Sequence, residues 1–165
     1  MKKIVLISDT HSYLPSSLPK FIKGYDELWH AGDVGQFGVI DQLKSILPVR
    51  GVYGNIDGMD VRKEFPEFLI FTEQGVKILM LHIGGKPYRY SPRMRELITR
   101  YRPTVVICGH SHILRVEYDK KDKLLYMNPG ALGIQGFHKV KTLLRFTLDK
   151  GKIKNLEAVE LGQRV

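Results

Sequence analysis

At 165 residues, 43% hydrophobic and 26% charged, the sequence has the balance of an ordinary globular domain and predicts one folding unit over residues 1–165 that buries a core without staples. It has no run of eighteen apolar residues, and Met1-Lys2-Lys3 leads straight into a short apolar run, so neither a membrane span nor a signal peptide is expected and the cytoplasm is the expected compartment. A single cysteine excludes an internal disulfide; the net charge of +9 favours anionic partners, but its lysines and arginines are spread along the chain without the aromatic interleaving or finger spacing of a nucleic-acid binder.

Lys3, Ile4, Val5, Leu6 and Ile7 form a β-branched apolar run typical of a strand buried on both faces, and it ends in Ser8-Asp9-Thr10-His11. On extended backbone, side chains two apart leave the same face, so Asp9 and His11 are expected to aim at one point beyond the strand. A loop and a short helix ending at Gly24 follow. A second strand, Glu27 to His30, breaks at Ala31-Gly32-Asp33. Phe37, Ile40, Leu43 and Leu47 then lie at helical spacing before Pro48, and a third strand, Val49 to Tyr53, ends at Gly54-Asn55-Ile56-Asp57. Three strands separated by two helical segments predict a right-handed βαβαβ unit with its polar strand ends on one edge.

Phe68 to Phe71 and Val76 to Leu81 read as a hairpin, because the connection is too short for a parallel crossover, and this arm ends in His82-Ile83-Gly84-Gly85. A basic, aromatic loop, Lys86-Pro87-Tyr88-Arg89-Tyr90, precedes the N-cap pair Ser91-Pro92 and a helix with Met94, Leu97, Ile98 and Tyr101 on its core face. Thr104 to Ile107 is another buried strand, followed by Cys108-Gly109-His110-Ser111-His112, with Cys108 as a small core residue. Two hairpins close the chain, Leu114 to Tyr118 with Leu124 to Met127, and Leu143 to Leu148 with Ile153 to Val159. The pattern, βα units in front and antiparallel strands behind, predicts an α/β protein in which two sheets pack together with helices on their outer faces.

Asp9, His11, Asp33, Asn55, His82, His110 and His112 all follow apolar strands and precede glycine-rich or polar loops, which gathers them at one rim. Of the other histidines, His30 is expected as a hydrogen-bonded core imidazole and His138 as an exposed loop residue. Seven ligands suit two cations sharing a bridging carboxylate, the usual clamp for phosphate-ester hydrolysis, at a separation of about 3.5–4 Å. Two divalent ions against two aspartates leave a positive site, and imidazole-rich ligation favours manganese, iron, zinc, nickel or cobalt over magnesium or calcium.

The ordered strings Asp9-x-His11, Gly32-Asp33, Gly54-Asn55-x-Asp57, His82 and Gly109-His110-Ser111-His112 resemble the calcineurin-like metallophosphoesterases, in particular their small bacterial and archaeal phosphodiesterase branch, over nearly the whole chain. The resemblance implies a four-layer αββα sandwich of two mixed sheets and hydrolysis of a small phosphodiester by a hydroxide bridging two divalent ions, with Mn2+ foremost. It implies that Asp9, His11, Asp33 and His112 hold one ion and Asp33, Asn55, His82 and His110 the other, with Asn55 contacting the phosphoryl group. Asp57 would orient Asn55 or a histidine, or simply cap its turn; Asn128-Pro129-Gly130 is either the branch's characteristic turn or an ordinary tight one. Lys86 and Arg89, with Tyr88, are candidate phosphate contacts or plain solvent-facing loop residues. Two departures stand out. Many relatives carry a proton-donating histidine directly after the asparagine, where this chain has Ile56, and a second histidine two residues after His82, where it has Gly84. The same fold also serves as a scaffold subunit in the retromer coat with a degraded metal site, so a binding protein and a nucleic-acid-directed nuclease are the alternatives; monomer and homodimer are both open.

Overall fold

A computed structural model describes residues 1–165. Strands β1 (Lys2–Ile7), β2 (Glu27–His30) and β3 (Val49–Gly51) run parallel and side by side, and β11 (Val140–Asp149) and β12 (Lys152–Gln163) extend this sheet antiparallel in the order β12-β11-β1-β2-β3. The second sheet, β4 (Phe68–Glu73), β5 (Val76–Leu81), β8 (Val105–Ile107), β10 (Leu124–Pro129) and β9 (Leu114–Asp119), has the order β4-β5-β8-β10-β9, with β5, β8 and β10 parallel.

Strand alternation builds the layers. Ile4 and Leu6 of β1 face Ile78 and Met80 of β5 and Val105 and Ile107 of β8 in a core between the sheets, with Trp29 and Phe146. The opposite faces, Val5 and Ile7, pack under α1 (Leu18–Ile22), α2 (Gly38–Lys44) and Val61 of α3 (Met59–Glu64). Leu79, Leu81 and Val106 pack under α4 (Pro92–Tyr101) through Met94, Leu97 and Ile98. The result is the expected αββα sandwich of two mixed sheets. Ser91 caps α4 by accepting the Met94 N–H at 3.1 Å. Cys108 is a core residue; burial pushes its thiol up to about 12, and the thiol donates to the Tyr126 hydroxyl.

The structure departs from the sequence pattern in two elements. The Gly85 to Tyr90 stretch is not an open loop but a small hairpin, β6 (Gly85–Lys86) and β7 (Arg89–Tyr90), because Pro87 and a left-handed Tyr88 (φ 69°) make a tight turn. The helix α3 has one buried apolar residue, Val61, and so shows no helical periodicity. No helix is long and apolar enough to cross a membrane.

Candidate metal centre

Every candidate ligand stands just beyond the carboxyl end of a parallel strand: Asp9 and His11 after β1, Asp33 after β2, Asn55 after β3, His82 after β5, and His110 and His112 after β8. The means of delivery differs from the one expected. Asp9 and His11 do not share a face by pleating, because β1 ends at Ile7 and both residues are left-handed, with φ 54° and 45°. Asp33 (φ 58°), His110 (φ 71°) and His112 (φ 61°) adopt the same conformation. Non-glycine residues avoid this region unless their surroundings hold them there, and such strain gathers at functional sites. Here backbone bonds hold it: the Asp9 N–H donates to Gly32 O, His11 N–H to Asp33 O and Ser12 N–H to Val34 O.

Two clusters result, Asp9 with His11 and His112, and Asp33 with His82 and His110, the ligand atoms of each lying within 4.8 Å of one another. Asp33 stands between them. Its Oδ2 is 3.4 Å from His11 Nε2 and its Oδ1 is 3.2 Å from His82 Nε2. Asp9 Oδ1 lies 3.2 Å from His112 Nε2 and 3.9 Å from both His11 and His82. The other Asp9 oxygen accepts from the Ser8 hydroxyl and the His110 N–H, which fixes the carboxylate. His82 Nδ1 bonds Ala31 O at 2.7 Å and must carry the proton there, so the Nε2 lone pair points into the site.

The electrostatics of the site fit a cation. Burial acts to raise the carboxyls of both Asp9 and Asp33, yet the adjacent imidazoles hold them far below the usual range. Conversely, Asp33 and then Asp9 push His11 up to about 9, and His82 is raised against the opposing effect of its burial by the same two carboxylates. Asp9 Oδ1, His11 Nε2 and His82 Nε2 are nevertheless buried without a hydrogen-bond partner. Buried polar atoms are nearly always satisfied, and this oxygen and nitrogen donor set fits divalent transition cations.

The remaining candidates lie around this centre. Asn55 is exposed, makes no side-chain hydrogen bond within the chain, and lines a cavity of about 440 Å³ together with His82. The Asp57 carboxylate hydrogen-bonds to neither the Asn55 side chain nor a histidine. It is buried and accepts the N–H groups of Gly54, Val34 and Gly35, tying the Asn55 loop to the Asp33 loop. Lys86 and Arg89 are exposed and line a cavity to which none of the candidate metal ligands contributes. Asn128 braces the histidine loop by donating to Gly109 O and Ser111 Oγ, while its own oxygen accepts the Gly130 N–H. Residue 84, being glycine, offers no ligand, and Met94 and Cys108 fill the space where its side chain would begin.

His138, expected to be exposed, is half-buried. Its ring centroid lies 5.2 Å from that of His112, and its Nε2 bonds Gly133 O. No local pattern marks it, because the fold alone brings the segment after Gly136 back to the histidine loop. Thr10 was likewise unmarked. It joins Val34 O to His30, whose Nδ1 accepts the Gly32 N–H at 3.1 Å, leaving Nε2–H for the Thr10 hydroxyl at 2.9 Å.

This arrangement needs a neutral His30, and complete burial holds its pKa down to about 4. A depressed histidine contributes stability that is full above its unfolded value and is lost as pH falls toward the folded one. Between pH 7 and pH 5, His30 should therefore cost the metal-free protein about 2 kcal/mol, while His11, raised instead of lowered, acts in the opposite sense. Urea unfolding at the two pH values should show a change that is less favourable to the wild type than to His30→Gln by about this amount, since His11 contributes equally to both. Equal changes would remove His30 as the cause.

The two-sheet fold and its paired histidine and carboxylate clusters together define a metallophosphoesterase. The chain belongs to the calcineurin-like phosphoesterase superfamily, whose domain model matches residues 1–151. A probable metallophosphoesterase of Methanocaldococcus jannaschii is 34% identical over 136 residues, covering 78% of this chain and 67% of the relative. Two solved structures share the fold. One is an archaeal phosphodiesterase at 22% identity and TM-score 0.72, covering 96% of this chain and 99% of the other. The other is Vps29 of Entamoeba histolytica in complex with zinc, at 18% identity and TM-score 0.68, covering 96% and 98%.

Proposed function

We propose that the protein is a phosphodiesterase working at a dinuclear centre of divalent transition-metal ions, manganese first among them, on a small phosphodiester substrate. The observation that carries this reading is the position of Asp33, with one carboxylate oxygen turned toward His11 and the other toward His82. Asp9, His11, Asp33 and His112 would hold one ion, and Asp33, Asn55, His82 and His110 the other. When bound, such a pair supplies Lewis acidity toward phosphoryl oxygens and a hydroxide-level nucleophile at neutral pH.

The chain's own residues set the rest. Asp57 fixes Gly54 and, through it, the Asn55 loop, so the unbonded Asn55 amide is available to donate to a phosphoryl oxygen in the cavity it shares with His82. Ile56 is exposed and offers only a hydrocarbon side chain, because its backbone N–H is committed to Asp33 Oδ1 at 3.1 Å. No side chain at that position can protonate the departing oxygen. Aryl diesters should therefore be cleaved far faster than alkyl diesters, with log kcat falling steeply as leaving-group pKa rises; a flat series would contradict the assignment.

Turnover of bis(p-nitrophenyl) phosphate that requires added metal and is lost in His110→Ala tests the proposal. A scaffold reading draws on the shared fold with Vps29. It predicts metal binding without such turnover.

A further inference from the structure

Beside the metal clusters lies a second cavity of about 380 Å³, lined by Lys86, Arg89, Ser111, Arg115 and Tyr126 among others, and by none of the candidate metal ligands. Lys86 and Arg89 are direct cross-strand partners in the β6–β7 hairpin, which places two cations opposite each other on one face. Neither has an acidic partner within ion-pair distance, whereas the third cation, Arg115, is paired with Glu117 at 2.8 Å. Like charges set opposite each other destabilise a hairpin unless an anion comes between them.

The hairpin is braced from behind. The Tyr90 hydroxyl donates to the buried Asp119 at 2.7 Å, and the Tyr88 hydroxyl accepts the Lys120 N–H. Across the cavity, the Ser111 hydroxyl oxygen already accepts from Asn128 Nδ2 and from the Ile113 N–H. Both of its lone pairs are used, so its own proton is left to be donated outward. Since Ser111 sits between His110 and His112, this donor is one residue from each metal cluster.

We propose that this cavity is a subsite for a second phosphate group, and that the preferred substrates are phosphodiesters carrying another phosphate away from the bond that is broken. The proposal rests on the phosphodiesterase reading for the reaction, but not for the binding. Lys86 and Arg89 supply charge on a preformed hairpin, Ser111 supplies a directed donor, and the scissile phosphate stays with Asn55 and the metal clusters.

Two arms test it. Metal-loaded protein is given thymidine 5′-(p-nitrophenyl phosphate) with and without a 3′-phosphate, and metal-stripped full-length protein is titrated with inorganic phosphate by calorimetry. The 3′-phosphate should raise kcat/KM on the order of tenfold or more in the wild type, an advantage that falls to about one in the Lys86→Ala/Arg89→Ala variant. Phosphate binding to the stripped wild type should weaken by a similar factor in that variant. Equal kcat/KM for the two esters in the wild type overturns the subsite, as does phosphate binding that is absent or indifferent to the substitutions. If neither ester is cleaved but phosphate binding depends on the pair, the hydrolase reading fails and the subsite stands.

Discussion

Asp33→Asn should abolish metal-dependent diester hydrolysis, with kcat/KM falling on the order of 10³-fold or more, and leave the fold intact. The substitution keeps the shape of the side chain and its Oδ1 acceptor for the Ile56 N–H, but removes the charge that sits between His11 and His82. Its signature in the metal-free protein is independent of activity. Asp33 is the largest reason that His11 is raised to about 9, so the His11 imidazole should titrate closer to its ordinary 6.5 in the variant, as followed by NMR. A His11 titration that does not move would show that the carboxylate is not where the structure puts it.

Gly54→Ala should be nearly as damaging although it replaces no proposed ligand. A Cβ at residue 54 would fall on the Asp33 carboxylate oxygen and backbone nitrogen, a collision with main chain that no rotamer change relieves. Gly54 is not among the residues in the left-handed region, so the cost is steric and not conformational. The expected loss is roughly 3 kcal/mol of stability, together with weaker metal binding, because Asp33 must move to admit the methyl group. Gly38→Ala is the control, since a Cβ there meets open space at the start of α2. That change should stay within about 1 kcal/mol, on the stabilising side. Equal effects for the two alanines would mean that Asp33 and Gly54 are not packed as described.

The difference between these glycines illustrates what can be read from a sequence and what cannot. The both-face burial of Ile4 to Ile7, the parallel order of β1, β2 and β3, and the Ser91 cap of α4 follow from local composition and spacing, because each depends on residues close in the chain. Two packed sheets with helices outside were legible from the order of elements, and the four-layer αββα class came with the family resemblance. How the ligands are aimed was not. Asp9, Asp33, His110 and His112 reach the rim through left-handed backbone that no glycine signals, imposed by bonds such as His11 N–H to Asp33 O between segments more than twenty residues apart. His138 meets His112 across 26 residues, and Asp119, which looks like a turn residue, is buried beneath Tyr90. Asp57 stands two residues from Asn55, but its role as a clamp on three backbone N–H groups depends on the Asp33 loop, more than twenty residues away in the chain.

Metal stoichiometry tests the central claim most directly. Calorimetric titration of the metal-free chain with Mn2+ should give two ions per chain, with affinity rising as pH approaches 9, because binding must displace the proton from His11, which Asp33 and Asp9 push up to about 9. Asp33→Ala should lower both affinities, as expected for a carboxylate shared by two sites. One ion per chain, or two whose affinities are indifferent to residue 33, would contradict a paired centre built on that carboxylate.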